Sequence, residues 1–494
     1  MEFDLDLRSI QQTRRLASAA REAQRRFGGA DQASVDRVCA AMAEAAFAAS
    51  GRLGALAHEE TGYGVAEHKR LKDEFASRDV WASIRDVPTV GVLRRDVQRG
   101  IVEIGWPVGV IAALSPSTNP TSTAIFKILI SVKAGNGIVV APHPTAVACT
   151  SEAVRVMAEA GEAAGMPPGL VSCLTTVTLP GTQELLSHEA TSMILATGGS
   201  GMVRAAHSTG KPALGVGPGN VPAYVDRSAD LARAAADIVN SKAFDNSTIC
   251  ATEQTVVADR PIAAQLRAQM EANGAHWLTR EQATSLAAQL FRPDGVMQAR
   301  FVGRTPQRIG ELAGLPVPAS ARVLVAELDG VGPAHPLSQE KLTTVLGFLV
   351  EDGWRAGCER SIQLLQFGGE GHSLVIHAAD EDVILAFGLE KPAFRILVNT
   401  WGTFGAIGAS TGLEPSMTLA PGGMGGAVVS DNITVHHVLN VKRLASEVRR
   451  PPAAAWSTAA PAAAPTSAPP AAHDLDPALI ADVVRRVLAE MTGP

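Results

Sequence analysis

The sequence lacks paired cysteines. Its 494 residues include only five cysteines, an odd number scattered along the chain with no CxxC pair. This argues against a disulfide framework and against a zinc site, so no metal is expected. The cysteines instead indicate a protein of the reducing cytoplasm.

Long apolar runs and an excess of charge are also missing. Val108–Leu114 is among the longest apolar runs, far below the roughly 18 residues that span a bilayer. The segment from Met1 to Phe27 lacks the apolar core of a signal peptide. A net charge of −6 with a pI near 6.1 gives no basic surface. We therefore expect no membrane and no nucleic-acid partner.

Short apolar runs alternating with amphipathic helices follow from Gly100. At 494 residues, 46% of them hydrophobic, the chain can bury two or three cores. The predicted strands are Gly109–Ser115, Gly137–Pro142, Leu170–Thr175 and Ser192–Thr197, and the predicted helices are Thr123–Ala134, Thr145–Ala164 and Thr182–His188. This alternation predicts a doubly wound parallel sheet. A second alternating set, from about Pro222 to Leu413, predicts another α/β domain.

The composition changes at Pro451. Up to about Ala472 the chain contains only Pro, Ala, Ser and Thr apart from Trp456, which predicts an extended linker. Asp476-Pro477 then has the pattern of a helix start. The apolar residues that follow form one stripe: Leu479, Ile480, Val483, Val484, Val487, Leu488 and Met491. Because a short isolated helix is marginal in water, the stripe predicts a binding partner.

Cys250 lies at a turn between a predicted helix, Leu231–Phe244, and a predicted strand, Thr255–Val257. Polar neighbours and the small Ala251 would leave its thiol open to a substrate and to backbone N–H donors. The alternative is a buried structural cysteine, which is the more frequent case for a lone cysteine. The local pattern leaves both interpretations open.

The segment DNSTICATEQ around Cys250 resembles the active-site segment of the CoA-acylating aldehyde dehydrogenases. These include one half of the bifunctional aldehyde–alcohol dehydrogenases and the propionaldehyde and acetaldehyde dehydrogenases of bacterial microcompartments. Further motifs of the family follow in order up to about Ala445: SPSTNPTSTAIFKILISVKAGNGIVVAPHP (115–144), LATGGSGMVRAAHSTGKPALGVGPGNVP (195–222), SQEKLTTVLGFL (338–349), GGEGHS (368–373) and APGGMGG (420–426). Several long motifs in one order are far more specific than one glycine-rich turn. They favour Cys250 as a nucleophile.

The resemblance implies an α/β fold of the aldehyde dehydrogenase type, with a doubly wound Rossmann-like cofactor domain, a second α/β catalytic domain and a small β oligomerisation arm. The implied boundaries are 1–92 and 107–222 for the NAD(P)-binding domain, 93–106 and 427–446 for the arm, 223–426 for the catalytic domain, 447–473 for the linker and 474–494 for the terminal helix. LVAEL (324–328) would be a catalytic-domain strand, and ITVHHVLNV (433–441) the arm strand that pairs near Leu93–Trp106. A homodimer or homotetramer is expected. The chain is expected to be monofunctional, because a linker and helix stand where bifunctional relatives continue.

The resemblance also implies roles for single residues. Cys250 would be the nucleophile, and Asn119 would donate to the oxyanion beside the Cys250 backbone N–H, although Asn119 also suits the N-cap of a helix near Pro120. The expected contacts to NAD or NADP are Thr118, His143, Pro144, Thr197, Gly198, Gly199, Ser200, Gly217 and Glu340. The glycines of TGGSG would let the backbone approach a pyrophosphate at a helix N-terminus. His143 is equally well explained as a surface residue, and Glu340 as a solvated residue at a helix start.

One departure from the hydrolytic relatives concerns the base that activates water. They carry a general-base glutamate about 35 residues before the cysteine, where this chain has Gly215. Without that base, water attacks the thioester slowly and a CoA thiol can react instead. The expected reaction oxidises a short-chain aldehyde, of the acetaldehyde or propionaldehyde class, with NAD(P)+ and CoA to an acyl-CoA. Release of a free acid, sulfoacetaldehyde as substrate, and an inactive cargo or assembly protein are the alternatives.

The tail resembles the encapsulation peptides that load enzymes into bacterial microcompartments. The expected location is therefore the cytoplasm, inside such a compartment, with residues 474–494 contacting the shell or other cargo. Docking of the helix back onto its own oligomer is the alternative. Ala146 stands where hydrolytic relatives often place an acidic ribose-binding residue, so the sequence leaves NAD against NADP open.

Overall fold

The computed structural model describes residues 4–450 together with Ala478, Ala481, Asp482, Val484, Arg485 and Arg486. The helices are α1 Leu5–Phe27, α2 Gln32–Thr61, α3 Ala66–Glu74, α4 Val80–Ile84, α5 Pro120–Lys133, α6 Val147–Ala163, α7 Leu179–Ser187, α8 Ser200–His207, α9 Leu231–Ala243, α10 Ala263–Ala272, α11 Arg280–Leu290, α12 Pro306–Ala313, α13 Gly353–Gly368, α14 Glu381–Glu390 and α15 Gly402–Ala406. The strands are β1 Gly91–Asp96, β2 Ile101–Pro107, β3 Val110–Ser115, β4 Gly137–Pro142, β5 Val171–Cys173, β6 Thr191–Thr197, β7 Ala213–Val216, β8 Val221–Val225, β9 Glu253–Asp259, β10 Ala275–Trp277, β11 Val323–Glu327, β12 Val345–Glu351, β13 Gly371–His377, β14 Ala393–Val398 and β15 Leu439–Ala445. They form three sheets.

The first parallel sheet has five strands in the order β5-β4-β3-β6-β7. All residues of β3 and β4 are buried, as expected for parallel strands covered on both faces. The chain winds outward from β3 to β5 and then returns to β6 on the other side of β3. The strand order therefore reverses between β3 and β6, and ligands of such sheets bind at this point, beyond the carboxyl ends of the strands.

The second parallel sheet has seven strands in the order β10-β11-β12-β9-β8-β13-β14. Residues 217–220 connect β7 of the first sheet directly to β8 of the second. Asn119, which follows β3, donates a hydrogen bond to the carbonyl of Thr248, which precedes β9. The carboxyl edge of the five-stranded sheet therefore meets the amino edge of the seven-stranded sheet, and both predicted α/β domains are present.

The third sheet is antiparallel, with the order β1-β2-β15. Strand β2 pairs with β15 from Ile101↔Ala445 to Pro107↔Leu439, so the two distant segments expected to form the arm do pair. The strand expected over 433–441 is wrong at its start. Val435–Val438 is instead a 3-10 turn, because the backbone N–H of Thr434 donates to His437 Nδ1 at 3.0 Å. The part that this sheet plays in assembly stays a prediction.

Several predicted boundaries differ from the structure for local reasons. α5 begins at Pro120 rather than Thr123, since proline suits the first helical turn. α7 begins at Leu179 because the Thr178 side chain caps Gly181 N. β5 is limited to Val171–Cys173, three residues.

The predicted linker over 451–472 lies outside the described residues, as does most of the predicted helix over 474–494. The six described residues of that helix are helical. Within it, Arg486 Nη2 lies 2.8 Å from Asp482 Oδ2, one turn away. In the part of the chain that the structure describes, no helix combines the length and apolarity needed to cross a membrane.

Candidate active site

The loop before Cys250 has an unusual backbone. Asp245, Asn246 and Ser247 have φ values of 47°, 50° and 66°, a left-handed conformation that is costly for residues other than glycine. Side-chain bonds hold the loop in this shape. Asp245 Oδ1 accepts from Val65 N at 2.7 Å, and Asn246 Nδ2 donates to the carbonyls of Gly64 and Gly303 at 3.1 and 3.0 Å. The surrounding structure thus fixes the segment that carries Cys250.

Cys250 is half-buried at the amino edge of β9. Burial raises the pKa of its thiol to about 12, and the nearby Glu340 carboxylate acts in the same direction. The charge of Arg395 and the backbone N–H groups of Cys250 and Ala251 lower this pKa, though by less. At neutral pH the thiol is therefore protonated, and it needs a proton acceptor before it can attack. Cys250 therefore lies beside backbone donors and other titratable groups, and its role as a nucleophile stays a prediction.

Asn119 follows β3, at the point where the strand order reverses. It occupies the N-cap position of α5, but its side chain forms no capping hydrogen bond within the described chain. Its Nδ2 donates instead to the Thr248 carbonyl at 2.9 Å and to Thr118 Oγ1 at 3.3 Å. Its Oδ1 accepts from Lys72 Nζ. The side-chain amide therefore belongs to the site, and its donor end points to the segment that carries Cys250.

Glu340 lies in the chain before β12, so the alternative of a solvated residue at a helix start is wrong. Its Oε1 accepts from Gly219 N at 2.9 Å. Burial raises the pKa of its carboxyl to about 7. A Cβ on Gly219 would lie 2.4 Å from the Cys250 carbonyl oxygen and 3.1 Å from the His372 ring. Only glycine permits this approach, which brings Glu340, His372 and the nucleophile segment together.

The TGGSG turn opens α8 at the end of β6. Gly199 is the N-cap of α8, Ser200 is its first residue, and Thr197 Oγ1 lies 3.4 Å from Thr418 Oγ1. A Cβ on Gly199 or on Gly217 would meet no atom of the described chain within 4 Å. The reversal point of the first sheet therefore offers open space beside the N-terminus of a helix. This fits the pyrophosphate of a dinucleotide.

His143 and Pro144 are exposed at the end of β4, the strand next to β3. His143 Nδ1 is 2.9 Å from Thr145 Oγ1, and His143 N donates to the Ser115 carbonyl at 3.0 Å. They lie on the same carboxyl edge as the glycine turn, one strand away from Asn119. Their contact with a cofactor stays a prediction, as does that of Gly198, whose backbone N–H donates to the Val216 carbonyl at 3.5 Å.

Sequence reasoning missed His372, although it quoted the GGEGHS motif that contains it. His372 is 1% exposed at the start of β13. Burial, with a smaller contribution from Arg395, lowers its pKa to about 3. Its Nε2 has no hydrogen-bond partner in the described chain. The ring is therefore neutral at physiological pH, and so low a pKa makes it a weak proton acceptor. A histidine after glycines in a recognised motif was the available signal.

Gly215 lies in β7, packed against α8. A Cβ there would lie 2.5 Å from Val203 Cγ1 and 2.8 Å from His207 Nε2. A glutamate at this position would therefore have to displace side chains of α8. The structure thus supports the interpretation that Gly215 replaces the water-activating glutamate of hydrolytic relatives with no group of the same kind.

Cys250 thus lies at the edge of one parallel sheet, facing the reversal point and the glycine turn of a second, doubly wound sheet. Residues 6–285 match the profile of the aldehyde dehydrogenase family, and the chain belongs to that family. An aldehyde-alcohol dehydrogenase of Streptococcus pneumoniae is 41% identical over 409 residues, which are 81% of this chain and 46% of that protein. The chain therefore spans about half the length of such relatives.

Solved structures narrow the class. An acetylating aldehyde dehydrogenase from Geobacillus thermoglucosidasius is 48% identical with a TM-score of 0.90, covering 91% of this chain and all of that one. A propionaldehyde dehydrogenase from the fucose utilisation microcompartment of Clostridium phytofermentans is 27% identical, with a TM-score of 0.80 and 88% and 98% coverage. The propionaldehyde dehydrogenase of Rhodopseudomonas palustris, 25% identical with a TM-score of 0.80 and 88% and 97% coverage, was crystallised with bound CoA and an acylated cysteine. The chain is thus similar to enzymes whose names place them in the acylating branch of the family.

Proposed function

We propose that this chain oxidises a short-chain aldehyde, of the acetaldehyde or propionaldehyde class, with NAD(P)+ and CoA, and releases an acyl-CoA. The observation that carries the proposal is the 2.9 Å bond from Asn119 Nδ2 to the Thr248 carbonyl. It brings an amide donor at the reversal point of the cofactor sheet to the segment that holds Cys250. A carbonyl group bound between them would meet a nucleophile and an oxyanion donor together.

The first step forms a bond between Cys250 Sγ and the aldehyde carbon, and the thiol proton leaves. Because the pKa of the thiol is raised to about 12, a nearby group must take that proton. Glu340 and the neutral His372 both lie against the Gly219 backbone beside Cys250. Glu340, whose pKa is raised to about 7, is the better acceptor, because the pKa of His372 is lowered to about 3. The oxygen of the thiohemiacetal would be held by the Cys250 N–H and by the Asn119 Nδ2–H that now makes the longer, 3.3 Å bond to Thr118 Oγ1.

The second step oxidises the thiohemiacetal to a thioester. A bound nicotinamide supplies the hydride acceptor for this step. In this chain the open turn at Gly198, Gly199 and Ser200 would hold the pyrophosphate, and Glu340 would turn from Gly219 to the ribose. The cofactor is NAD or NADP.

In the third step the CoA sulfur bonds to the acyl carbon, and the bond from that carbon to Cys250 Sγ breaks. Cys250 then regains a proton, which restores the thiol. The occupied space beside Gly215 supports attack by a thiol over attack by water, because position 215 has no room for the glutamate that activates water in hydrolytic relatives. The acetylating relative and the acylated cysteine found with CoA in another support the same choice.

Dependence on CoA tests the reaction. With acetaldehyde or propionaldehyde and NAD+ or NADP+, but no CoA, the protein should form about one equivalent of reduced cofactor per site and then stop. Adding CoA should restart steady turnover and produce acyl-CoA, measured by absorbance at the nicotinamide band and by mass spectrometry. Sulfoacetaldehyde belongs in the same substrate panel.

Two results would contradict the proposal. Steady turnover without CoA, with release of a carboxylic acid, would establish the hydrolytic alternative. Absence of reduced cofactor with every aldehyde tested would favour an inactive cargo or assembly protein.

We further propose that residues 474–494 direct the enzyme into a bacterial microcompartment. The apolar stripe of this segment and the microcompartment relative support the proposal. Deleting these residues should leave kcat unchanged while the protein disappears from purified microcompartments of an expressing host, as followed by immunoblotting. Equal recovery of both forms would contradict it, and a changed oligomeric mass would favour docking of the helix on its own oligomer.

A further inference from the structure

Helix α3 carries two lysines that are almost completely buried. The side chains of Lys69 and Lys72 are each 2% exposed, and both face the carboxylate of Asp245, which is 0% exposed. Lys69 Nζ lies 3.2 Å from Asp245 Oδ2, and Lys72 Nζ contacts the same oxygen. Two ammonium groups therefore share one carboxylate below the loop that leads to Cys250. Burial of charge on this scale is expensive unless each group is paired.

The two lysines differ in what else they contact. Lys72 Nζ donates to Asn119 Oδ1 and lies 3.4 Å from Thr248 Oγ1. Lys69 Nζ donates to the backbone carbonyl of Thr118 at 3.0 Å and makes no bond to the Asn119 side chain in the described chain. Lys72 is therefore the link between the loop at Asp245 and the side-chain amide of Asn119.

This link fixes both ends of the amide. An ammonium group only donates, so it selects the oxygen of Asn119, and the Thr248 carbonyl only accepts, so it selects the nitrogen. The bonds to Lys72 and to Thr248 therefore fix the orientation of the Asn119 amide beside the segment that carries Cys250. The ammonium also draws electron density from Oδ1, which makes the N–H groups at Nδ2 stronger donors.

The charge has the sign that the reaction needs. A tetrahedral adduct at Cys250 carries a negative oxygen beside Asn119 Nδ2, and the positive group lies directly behind the same amide. A preorganised charge in a water-poor site stabilises such an oxyanion without reorganisation. The same group is present when the adduct with the aldehyde forms and when the adduct with CoA forms.

We propose that Lys72 is a positioning residue, which orients and polarises the Asn119 amide for oxyanion stabilisation in both adduct-forming steps. The inference rests on the oxyanion role proposed above for Asn119. Lys72 itself need not touch the substrate, since it acts through Asn119. A purely structural role predicts a different pattern, in which removal of either lysine weakens the fold and the loss of rate is independent of Asn119.

A double-mutant cycle separates the two roles. Lys72→Met, Asn119→Ala and the double variant are compared with the unchanged full-length protein, and Lys69→Met with and without Asn119→Ala serves as the matched control. The steady-state kcat and KM for propionaldehyde are measured at saturating CoA and cofactor. Thermal unfolding and circular dichroism check that each variant is folded.

Lys72→Met should lower kcat about tenfold or more with little change in KM. Adding Asn119→Ala to Lys72→Met should then give a rate within about twofold of Asn119→Ala alone. Lys69→Met should destabilise the protein to a similar degree, and its effect on kcat should multiply with that of Asn119→Ala. If Lys72→Met does not fold, Lys72→Gln keeps a side-chain donor without the charge and enters the same cycle with the same expected coupling.

Multiplicative effects of Lys72→Met and Asn119→Ala would overturn the proposal, and so would an unchanged kcat in folded Lys72→Met. If Asn119→Ala alone leaves kcat unchanged, the oxyanion role of Asn119 fails and this inference fails with it. If Asn119→Ala is slow but shows no coupling to Lys72, only the inference fails. The two failures are therefore distinguishable in one set of measurements.

Discussion

Cys250→Ala should abolish the oxidation of aldehyde and the transfer of the acyl group together. We expect kcat/KM to fall by at least about 10⁴-fold, because both half-reactions pass through a covalent bond to Cys250 Sγ. The variant would still bind the cofactor and CoA, but no acyl-enzyme could form. Initial rates in both directions measure the loss. Intact-protein mass spectrometry after incubation with acyl-CoA should show no acyl adduct.

Cys173 is the matched control for this substitution. It is also half-exposed, and its pKa is also raised to about 12 by burial. It lies on β5, at the edge of the first sheet, where its Sγ is 3.5 Å from Ser151 Oγ. Cys173→Ala should keep both the rate and the acyl adduct. An adduct that survives in Cys250→Ala and is lost in Cys173→Ala would contradict the assignment of the nucleophile.

Asn119→Ala should lower kcat by about 10²–10³-fold, the loss expected when one oxyanion donor is removed. The KM for aldehyde should change much less, because the donor acts on charge that develops only in the transition state. Asn119→Asp should be slower still, since it places a carboxylate where negative charge forms. Pre-steady-state formation of reduced cofactor measures the first half-reaction directly.

Asn136, a buried asparagine that hydrogen-bonds to two backbone groups, is the control for Asn119→Ala. Asn136 accepts from Gly109 N at 3.0 Å and donates to the Val438 carbonyl at 2.7 Å, at the opposite edge of the first sheet from the glycine turn. Asn136→Ala should lower the melting temperature while kcat stays near that of the unchanged protein. Equal loss of kcat in both variants would show that Asn119→Ala acts through the fold rather than through the oxyanion.

The fold follows from the sequence to a large extent because its strongest signals are local. The apolar runs that become β3 and β4 are short, fully buried and separated by a helix, and this pattern identifies a parallel sheet without tertiary information. The errors occur where a side chain decides the local structure. The hydrogen bond between Thr434 and His437 makes β15 begin later in the chain than predicted. The Thr178 cap makes α7 begin three residues before the predicted start.

Only the residues of the site that lie within a recognisable sequence motif could be predicted from the sequence. Cys250 and Asn119 lie in motifs that resemble a known family, and the structure brings their segments together. Asp245 lies in the same motif as Cys250, but Lys72 is 173 positions away from Asp245 and carries no pattern that distinguishes it from a surface charge. Their partnership depends on how α3 packs under the left-handed turn, which is a property of the tertiary structure. His372 lies between these cases, because its motif was visible although its buried, unpartnered ring was not.

The four residues that join the two parallel sheets have a mechanical consequence. Residues 217–220 form the connection between β7 and β8, and Gly219 within them contacts Cys250 and donates to Glu340. A rotation of one sheet against the other would therefore bend the backbone that contacts Cys250 and Glu340, and it would move these two residues relative to each other.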